Sequence, residues 1–584
     1  MFKKITRIII KNSYFICSIL LSASVNLSLF KNHYSNILII FWLLAIIFFI
    51  FSFKKTSSVP KEKNKIISGK FLVACFFILL PCLVRIMNYD LTRIHGDDML
   101  TGYYSTQYNF SKDNFFAPMP QKGVWVCQFP SLFFASQKLF FLIFGENLLT
   151  IKLSILPYVW LTSLLLFIFV NKFFNYKTAI ISLVFYAFMA PSIYLETLGL
   201  EFISSTAIFL AYLYFEINNI KDPSYRSSIF SGLFCGLSLL FYTASYIAVP
   251  LFFVFFVVRL FKRNFTVLVK QTLVSIVIFL ITTSPFFMYM YVNKNFYLSQ
   301  RAEQVNIING SWSGTKEKIN QGENYLNIVK ENSINTIKSF YQDGLSGVGG
   351  YNFGHMAFFD KFTFIFLSFG LIISLILLFK KIEILYILIS IFSALMVNVV
   401  FTIPPIAFHR LSVVFPLIII ILCLPFYLIF TFNNKLQLLS LLFIVPIIII
   451  SSINNQKSFL MQVESERNNS SLFLAKYLAQ NYPNRNVYVA AFPGFALDKI
   501  LYFALKTYYP NNVLGAFSEN KILRKKYSPL IRTEYHATFL TEFNQNEKYL
   551  YVYIFPDSFD DQFLEKDKKG QIDKFSDDIH IFSN

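Results

Sequence analysis

Two adjacent carboxylates, Asp97 and Asp98, stand in the stretch Arg93-Ile94-His95-Gly96-Asp97-Asp98-Met99-Leu100-Thr101-Gly102-Tyr103-Tyr104, just after a long apolar run. A carboxylate among polar and aromatic residues at a membrane surface can take the proton of an attacking hydroxyl. Neighbouring residues on a helix or strand point in different directions, so the two acids would not meet one reacting atom. One would do the work, and the other would support it or hold a metal ion. The competing reading is structural: an Asp at a helix N-cap followed by a first-turn acid is favoured by capping and by the helix dipole. Glu196 and Glu201 sit where two further apolar runs meet, and His409-Arg410 opens another after Pro404-Pro405. A carboxylate at the bilayer centre costs about 2.5–3.5 kcal/mol on insertion scales, so an acid at a helix mouth faces a cavity or a partner. The alternative is a helix-start acid that satisfies the dipole. Arg410 can grip a phosphate through two parallel hydrogen bonds, or snorkel to lipid headgroups. The run Gly344-Leu345-Ser346-Gly347-Val348-Gly349-Gly350-Tyr351-Asn352-Phe353-Gly354-His355 is glycine-rich, but no strand precedes it and no GK[ST] follows. It reads as a mobile loop that orders over a substrate, not as a phosphate cradle.

Composition says what kind of element must hold these residues. The 584 residues are 55% hydrophobic, 19% aromatic and only 14% charged, with mean hydropathy +0.54. Soluble chains run about 25% charged. A soluble domain cannot cover that much apolar surface, so the chain reads as a polytopic membrane protein; disorder, collagen, coiled coil and nucleic-acid binding are excluded together. The six cysteines, at 17, 75, 82, 127, 235 and 423, show no CxxC or metal spacing, and no disulfide framework is expected. Lipid offers the backbone no partner outside a helix, so each apolar run of about 17–25 residues is a spanning helix. Thirteen are read: 14–30, 36–53, 71–88, 148–170, 178–194, 200–217, 229–245, 246–260, 271–291, 361–379, 384–403, 411–430 and 436–453. The pair 229–260 is one run, divided near Pro250.

Charge sets the orientation, because short cytoplasmic loops retain Lys and Arg. With the N-terminus inside, the inner segments carry 21 basic residues against the three acids Glu62, Asp222 and Glu383. Most of the net charge of +20 therefore reports topology and not a polyanion partner. The N-terminal run lacks a small-residue cleavage site at Phe30-Lys31-Asn32-His33, and a second span follows it, so it reads as a span and not a signal peptide. The chain divides into N-terminal spans with a cytoplasmic basic loop (1–70), a membrane region with outer loops 89–147 and 292–360 (71–454), and an extracytoplasmic α/β domain (455–584). In the first loop, Gln128-Phe129-Pro130-Ser131 leads into an apolar stretch ending Phe144-Gly145, too short to span and read as a helix lying in the interface. Such a helix beside an acidic loop points to a lipidic substrate. In the tail, a helix near 467–482, a strand at 486–491, a helix near 495–506 and a strand at 549–554 are expected, and the charged last 28 residues are expected to be loose.

Taken in order, these residues resemble the GT-C membrane glycosyltransferases that use polyprenyl-phosphate sugars, in their protein O-mannosyltransferase and aminoarabinose-transferase branch. That family is similar in having an acidic pair in the first large outer loop, matched by Asp97-Asp98, with a tyrosine-containing stretch after it, matched by Tyr103 and Tyr104. A Pro-containing turn, an interfacial aromatic helix and a Phe-Gly dipeptide are matched by Phe129-Pro130-Ser131, 131–144 and Phe144-Gly145. An acid after a Pro-containing outer turn is matched by Ala190-Pro191 and Glu201, and a basic residue before a Pro-containing late helix by His409-Arg410 and Pro416. The resemblance covers roughly 70–430. Two positions depart from it: the pair is Asp-Asp and not Asp-Glu, and Gln128 stands where the aminoarabinose branch has a basic residue, which argues against that branch's particular substrate.

The resemblance implies an all-α polytopic fold of the GT-C type with a small α/β C-terminal domain. It also implies inverting transfer of a sugar from a polyprenyl-phosphate carrier to a hydroxyl of a lipid, glycan or protein on the extracytoplasmic face. Polyprenyl phosphate leaves as a stabilised anion and needs cations or donors, while the acceptor hydroxyl must lose its proton to a carboxylate across the sugar. Asp97 is then the base, Asp98 its orienting partner or the ligand of a divalent metal, and Glu201 a positioning acid. Arg410 meets the phosphate, and His409, Tyr103, Tyr104, Glu196, Gln128 and His355 complete the substrate-binding set. No other cofactor and no nucleic acid is expected; the remaining partners are membrane lipids. The rival readings are a polysaccharide polymerase or ligase and a lipid-linked sugar transporter, the latter disfavoured because the acids cluster at helix mouths on one side and no internal repeat is seen. The expected location is the plasma (inner) membrane, multi-pass, with the N-terminus cytoplasmic and the C-terminal domain extracytoplasmic.

Overall fold

The computed structural model describes residues 2–53, 69–89, 96–120, 128–261, 265–308, 315–343, 357–402, 407–431, 434–464, 470–482, 486–491, 503–504, 506–507, 513–515, 549–554, 571–576 and 579–583. Helices α1 (Phe2–Phe30), α2 (Ile37–Ser52) and α3 (Gly69–Asn88) lead to a short helix α4 (Gly96–Gln107). An antiparallel pair, β1 (Pro118–Met119) and β2 (Phe129–Pro130), follows, and then α5 (Ser131–Phe144). The chain continues through α6 (Leu148–Leu153), α7 (Leu156–Phe173), α8 (Tyr176–Phe188), α9 (Ala190–Glu196), α10 (Ser204–Lys221), α11 (Tyr225–Ser238), α12 (Ala248–Leu260) and α13 (Phe265–Asn293). Three polar helices, α14 (Tyr297–Val305), α15 (Thr315–Asn320) and α16 (Tyr325–Ser339), precede α17 (Lys361–Leu377), α18 (Ile382–Leu395), α19 (Phe415–Leu422), α20 (Leu424–Thr431) and α21 (Asn434–Glu464).

The chain is a multi-pass membrane protein. Each of the thirteen expected runs overlaps a helix among the described residues, though not every one is helical throughout, residues 239–242 and 401–402 being outside helices. Among the described residues seven helical stretches are long and apolar enough to cross a bilayer alone, and the bent pair α8–α9 makes an eighth. Helices α2, α5 and α17 are apolar but shorter. The 229–260 run breaks earlier than expected: α11 ends at Ser238 and a 3₁₀ turn, Thr243–Ile247, leads into α12. Pro250 lies in the first turn of α12, where its missing N–H costs nothing, so proline here marks a helix start and not the break. The centre of the bundle is α10 with the run Phe408–Leu424. Residues 201–213 and 407–424 are buried on every side, as expected of helices apolar all round. Close packing needs small residues: a methyl on Gly370 of α17 would lie 2.0 Å from the Ile421 carbonyl oxygen.

One polar knot fixes the bend between α8 and α9, which turn 61° at Met189. Pro191 has no N–H to give the Ala187 carbonyl, and the N–H of Ala190 turns instead to Asn455 Oδ1 at 3.4 Å. Arg85 of α3 fills both vacancies, donating from Nη1 to Ala187 O at 2.5 Å and from Nη2 to Tyr186 O at 2.9 Å. Its Nε also donates to Glu196 Oε2 at 2.8 Å, and Tyr186 Oη donates to Glu196 Oε1 at 2.8 Å. Arg85 and Glu196 are both inaccessible, so the charges are paired out of water.

Beyond α21 come α22 (Ser470–Asn481) and five strands, β3 (Asn486–Ala491), β4 (Val513–Gly515), β5 (Tyr549–Ile554), β6 (Gln571–Ser576) and β7 (Ile579–Ser583), ordered β4-β3-β5-β7-β6. The two expected strands are the central parallel pair, in register from Asn486↔Tyr549 to Ala491↔Ile554. The last residues are not loose as expected: β6 and β7 form an antiparallel hairpin on the β5 edge. Their alternation, as in Ile579-His580-Ile581, is a strand signal that the surrounding charge outweighed in the sequence reading. The helix expected near 495–506 lies mostly outside the described residues.

Candidate active site

Asp97 and Asp98 both fall in the first turn of α4, where the helix dipole favours them. Asp97 is half-buried and Asp98 fully buried, so the pair points two ways, as adjacent helical residues must. Tyr103 and Tyr104, later on the same helix, are half-buried with ring centroids 6.0 Å apart.

Helix α4 rests on α5. Phe133, Phe134, Gln137 and Phe141 of α5 face inward, while Leu139, Leu142, Ile143 and Phe144 are exposed, an apolar face suited to lipid. The short apolar helix expected at 131–144 is present, with the boundaries read from sequence. Its inner face also meets the C-terminal region: the Phe141 and Phe503 rings stack at 6.0 Å, and the Leu148 N–H donates to Thr507 Oγ1 at 3.2 Å.

Glu201 opens a 3₁₀ turn, Glu201–Ile203, and is buried. That turn is tied to a second one, Phe408–Val414, which carries His409 and Arg410. Ser412 Oγ donates to Phe202 O at 3.1 Å, Thr206 Oγ1 donates to Ser412 O at 3.2 Å, and the His409 ring lies 4.7 Å from that of Phe202. Phe202 also meets Tyr242 at 4.8 Å, and Tyr242 meets Phe129 of β2 at 6.4 Å.

Arg410 lines a cavity of about 400 Å³ walled by Tyr242, Ala244 and Tyr246, by Ala302 and Val305 of α14, and by Asn398 and Thr402. Its Nη1 donates to Thr402 Oγ1 at 2.7 Å, while Asn398 Nδ2 donates to the carbonyls of Arg410 at 3.1 Å and Ala244 at 2.9 Å. Asn398 sits in a single π-helical turn, Met396–Val400, the kind of irregularity that accompanies functional sites. The rim residues Pro250, Val397 and Phe401 are exposed, so the cavity opens through apolar residues. Beneath its wall, burial pushes the Tyr297 phenol well above its usual range, and it stays neutral.

Gln128 is already engaged. Its Nε2 donates to Pro120 O at 2.8 Å and its Oε1 accepts from Asn295 Nδ2 at 3.0 Å, which joins the β1–β2 pair to the start of α14. Glu196 is likewise held by Arg85 and Tyr186, away from any open space. The turns that carry Glu201 and His409-Arg410 pack on each other, while Asp97 and Asp98 stand on α4, which rests on α5 and α6. The geometry withdraws Glu196 and gives Gln128 a bracing place. His355 lies outside the described residues. Sequence reasoning missed Arg85, Gln137 and Asn398; the first was visible as a lone charge in an apolar run and the second as the one amide of α5. Among the described residues no three His, Cys, Asp or Glu side chains cluster as a metal site.

No protein-family model and no curated protein matches the sequence. Among solved structures, ArnT from Cupriavidus metallidurans bound to undecaprenyl phosphate aligns over 88% of this chain and 98% of its own at 11% identity, with a TM-score of 0.54. The apo state of the same protein aligns over the same shares at 13% identity and a TM-score of 0.49. An oligosaccharyltransferase from Archaeoglobus fulgidus, in complex with Zn and sulfate, aligns over 83% of this chain and 68% of its own at 12% identity and a TM-score of 0.46. The first of these establishes a shared architecture.

Proposed function

Starting from an all-α polytopic fold of the GT-C type, we propose that the chain is an integral membrane glycosyltransferase that moves a sugar from a polyprenyl-phosphate carrier to a hydroxyl of a lipid, glycan or protein. One observation carries this reading: a cavity with an apolar rim, cornered by Arg410, beside the turn that bears Glu201. An isoprenoid chain would enter through the rim and bring its phosphate to the guanidinium, which is the reason such an enzyme is embedded. In the ArnT structure the bound molecule is itself a polyprenyl phosphate.

Transfer is a single displacement. The acceptor oxygen attacks the anomeric carbon while the bond from that carbon to the phosphate oxygen breaks, and its electron pair leaves with the phosphate. Arg410 stabilises the charge that gathers there. Asp97, half-exposed at the start of α4, takes the acceptor's proton, and the fully buried Asp98 holds the helix start and its neighbour in place. Glu201 orients the sugar or the acceptor. Attack from the face opposite the phosphate inverts the anomeric centre. Residues 71–454 make up the catalytic region, residues 1–70 the preceding spans and basic loop, and 455–584 an extracytoplasmic domain, with the N-terminus in the cytoplasm.

The test is transfer of radiolabelled sugar from a panel of undecaprenyl-phosphate-linked hexoses and pentoses, using membranes that contain the chain. Label should pass to an acceptor, and the Asp97→Asn variant, expressed at the same level, should lose about 10²–10⁴-fold in rate. Full activity in that variant would move the base elsewhere. Consumption of diphosphate-linked oligosaccharide in place of monosaccharide donor would make the chain a polymerase or ligase instead.

A further inference from the structure

We propose that Gln137 is a positioning residue that fixes the distance between helix α4, with Asp97 and Asp98, and the turn that carries Glu201. Its kinetic consequence rests on the glycosyl-transfer reading; its structural consequence does not. Gln137 is fully buried on the inward face of α5, between Phe133, Phe134 and Phe141 in the helix sequence. Its Oε1 accepts from Ser105 Oγ of α4 at 2.6 Å, a hydroxyl with a single proton that also lies 3.0 Å, donor to acceptor, from the Thr101 carbonyl on the same helix. Its Nε2 donates to the Gly199 carbonyl, two residues before Glu201, at 3.1 Å, and to Ser154 Oγ at 3.0 Å. The neighbours settle which way the amide faces. A carbonyl oxygen only accepts, and Ser154 Oγ already donates to Ile151 O at 2.6 Å, so both must face the NH₂ group.

An apolar wedge works beside the amide. Ile151 of α6 is fully buried between the same two carriers: a methyl on Gly102 of α4 would lie 2.9 Å from its Cδ1, and one on Gly199 would lie 1.9 Å from its Cγ2. Packing alone keeps two surfaces apart but lets them slide. Short, directional hydrogen bonds through one rigid amide lock both to a single spacing. Two carriers from separate stretches of sequence, each bearing an acid of the proposed site, thus share one hydrogen-bonded bridge and one side-chain spacer. Catalytic groups held within about 0.5 Å of the productive geometry need such support.

The experiment compares the full chain in nanodiscs with Gln137→Met, which keeps the shape without the hydrogen bonds, Gln137→Glu, which turns an acceptor toward the Gly199 carbonyl, and Ser105→Ala. Hydrogen exchange of peptides covering 96–107 and 197–203 should speed up in Gln137→Met and Gln137→Glu, with α16 unchanged. With a donor that the wild type turns over, kcat should fall by about 10- to 100-fold while donor KM stays within about twofold, because the Arg410 cavity is untouched. Adding Ser105→Ala to Gln137→Met should bring no further loss, since one bridge is already gone. Unchanged exchange in both peptides, or a kcat equal to wild type, overturns the proposal. A wild type that transfers no sugar would sink the glycosyl-transfer reading, while the exchange data still decide whether the bridge holds. If Gln137→Met does not accumulate, Ser105→Ala alone decides, through exchange and kcat at α4.

Discussion

Replacing Arg85 by Met asks how the bend at Met189 is held. Three groups depend on that guanidinium: the Tyr186 and Ala187 carbonyls, left over because Pro191 has no N–H and Ala190 turns away, and the Glu196 carboxylate. Met fills most of the volume but satisfies none of them. Leaving a buried charge without its partner costs about 3–5 kcal/mol, and that term dominates. Glu196→Gln likewise strands a buried charge, the Arg85 guanidinium, and should also cost about 3–5 kcal/mol, although Arg85 keeps both carbonyls and Tyr186 can still donate to the amide oxygen. The double variant removes both charges and should be milder than the sum of the two by about 1–3 kcal/mol. The assay is equilibrium unfolding by SDS in mixed micelles, followed by tryptophan fluorescence. A loss below about 1 kcal/mol in Arg85→Met, or strict additivity in the double variant, would refute the account of the bend.

Arg410→Ala should weaken donor binding by about 1.5–3 kcal/mol, roughly 10- to 150-fold in donor KM, and raise the donor requirement more than it lowers turnover at saturation. Titrating transfer against donor concentration checks this, and an unchanged donor dependence would return Arg410 to a headgroup anchor. Glu201→Gln should bind undecaprenyl phosphate as the wild type does yet lose at least about tenfold in kcat, read by binding and by transfer on the same preparation. Gly370→Val must push α17 off the Ile421 carbonyl and should cost about 1–3 kcal/mol or more in the same SDS titration, with no specific effect on donor KM.

The elements were legible where one period dominates. Apolar runs became helices, the short run 131–144 became α5, and the strands at 486–491 and 549–554 pair as expected. In each case a local pattern is enough, since lipid or a sheet face imposes it along consecutive residues. What stayed hidden depends on partners far apart in the chain. Pro250 was read as a break because proline both starts and interrupts helices, and only the neighbouring Thr243–Ile247 turn says which. Glu196 and Glu201 looked alike as acids at helix mouths. Arg85, more than a hundred positions upstream, claims the first, and the turn bearing His409 packs on the turn of the second. Gln137 gave a signal, a lone amide among Phe and Leu, whose meaning required knowing that Ser105 and Gly199 converge on it.

The stacking of Phe503 on Phe141, beside Gly102, also has a temporal side. Phe503 is made some 400 residues after Gly102, a delay of roughly 20–80 s at about 5–20 residues per second of synthesis. Throughout that interval the acidic helix lacks one of its covers, and the finished arrangement waits until the ribosome has reached Phe503. A nascent chain that stalls before this point leaves the membrane holding an unfinished machine.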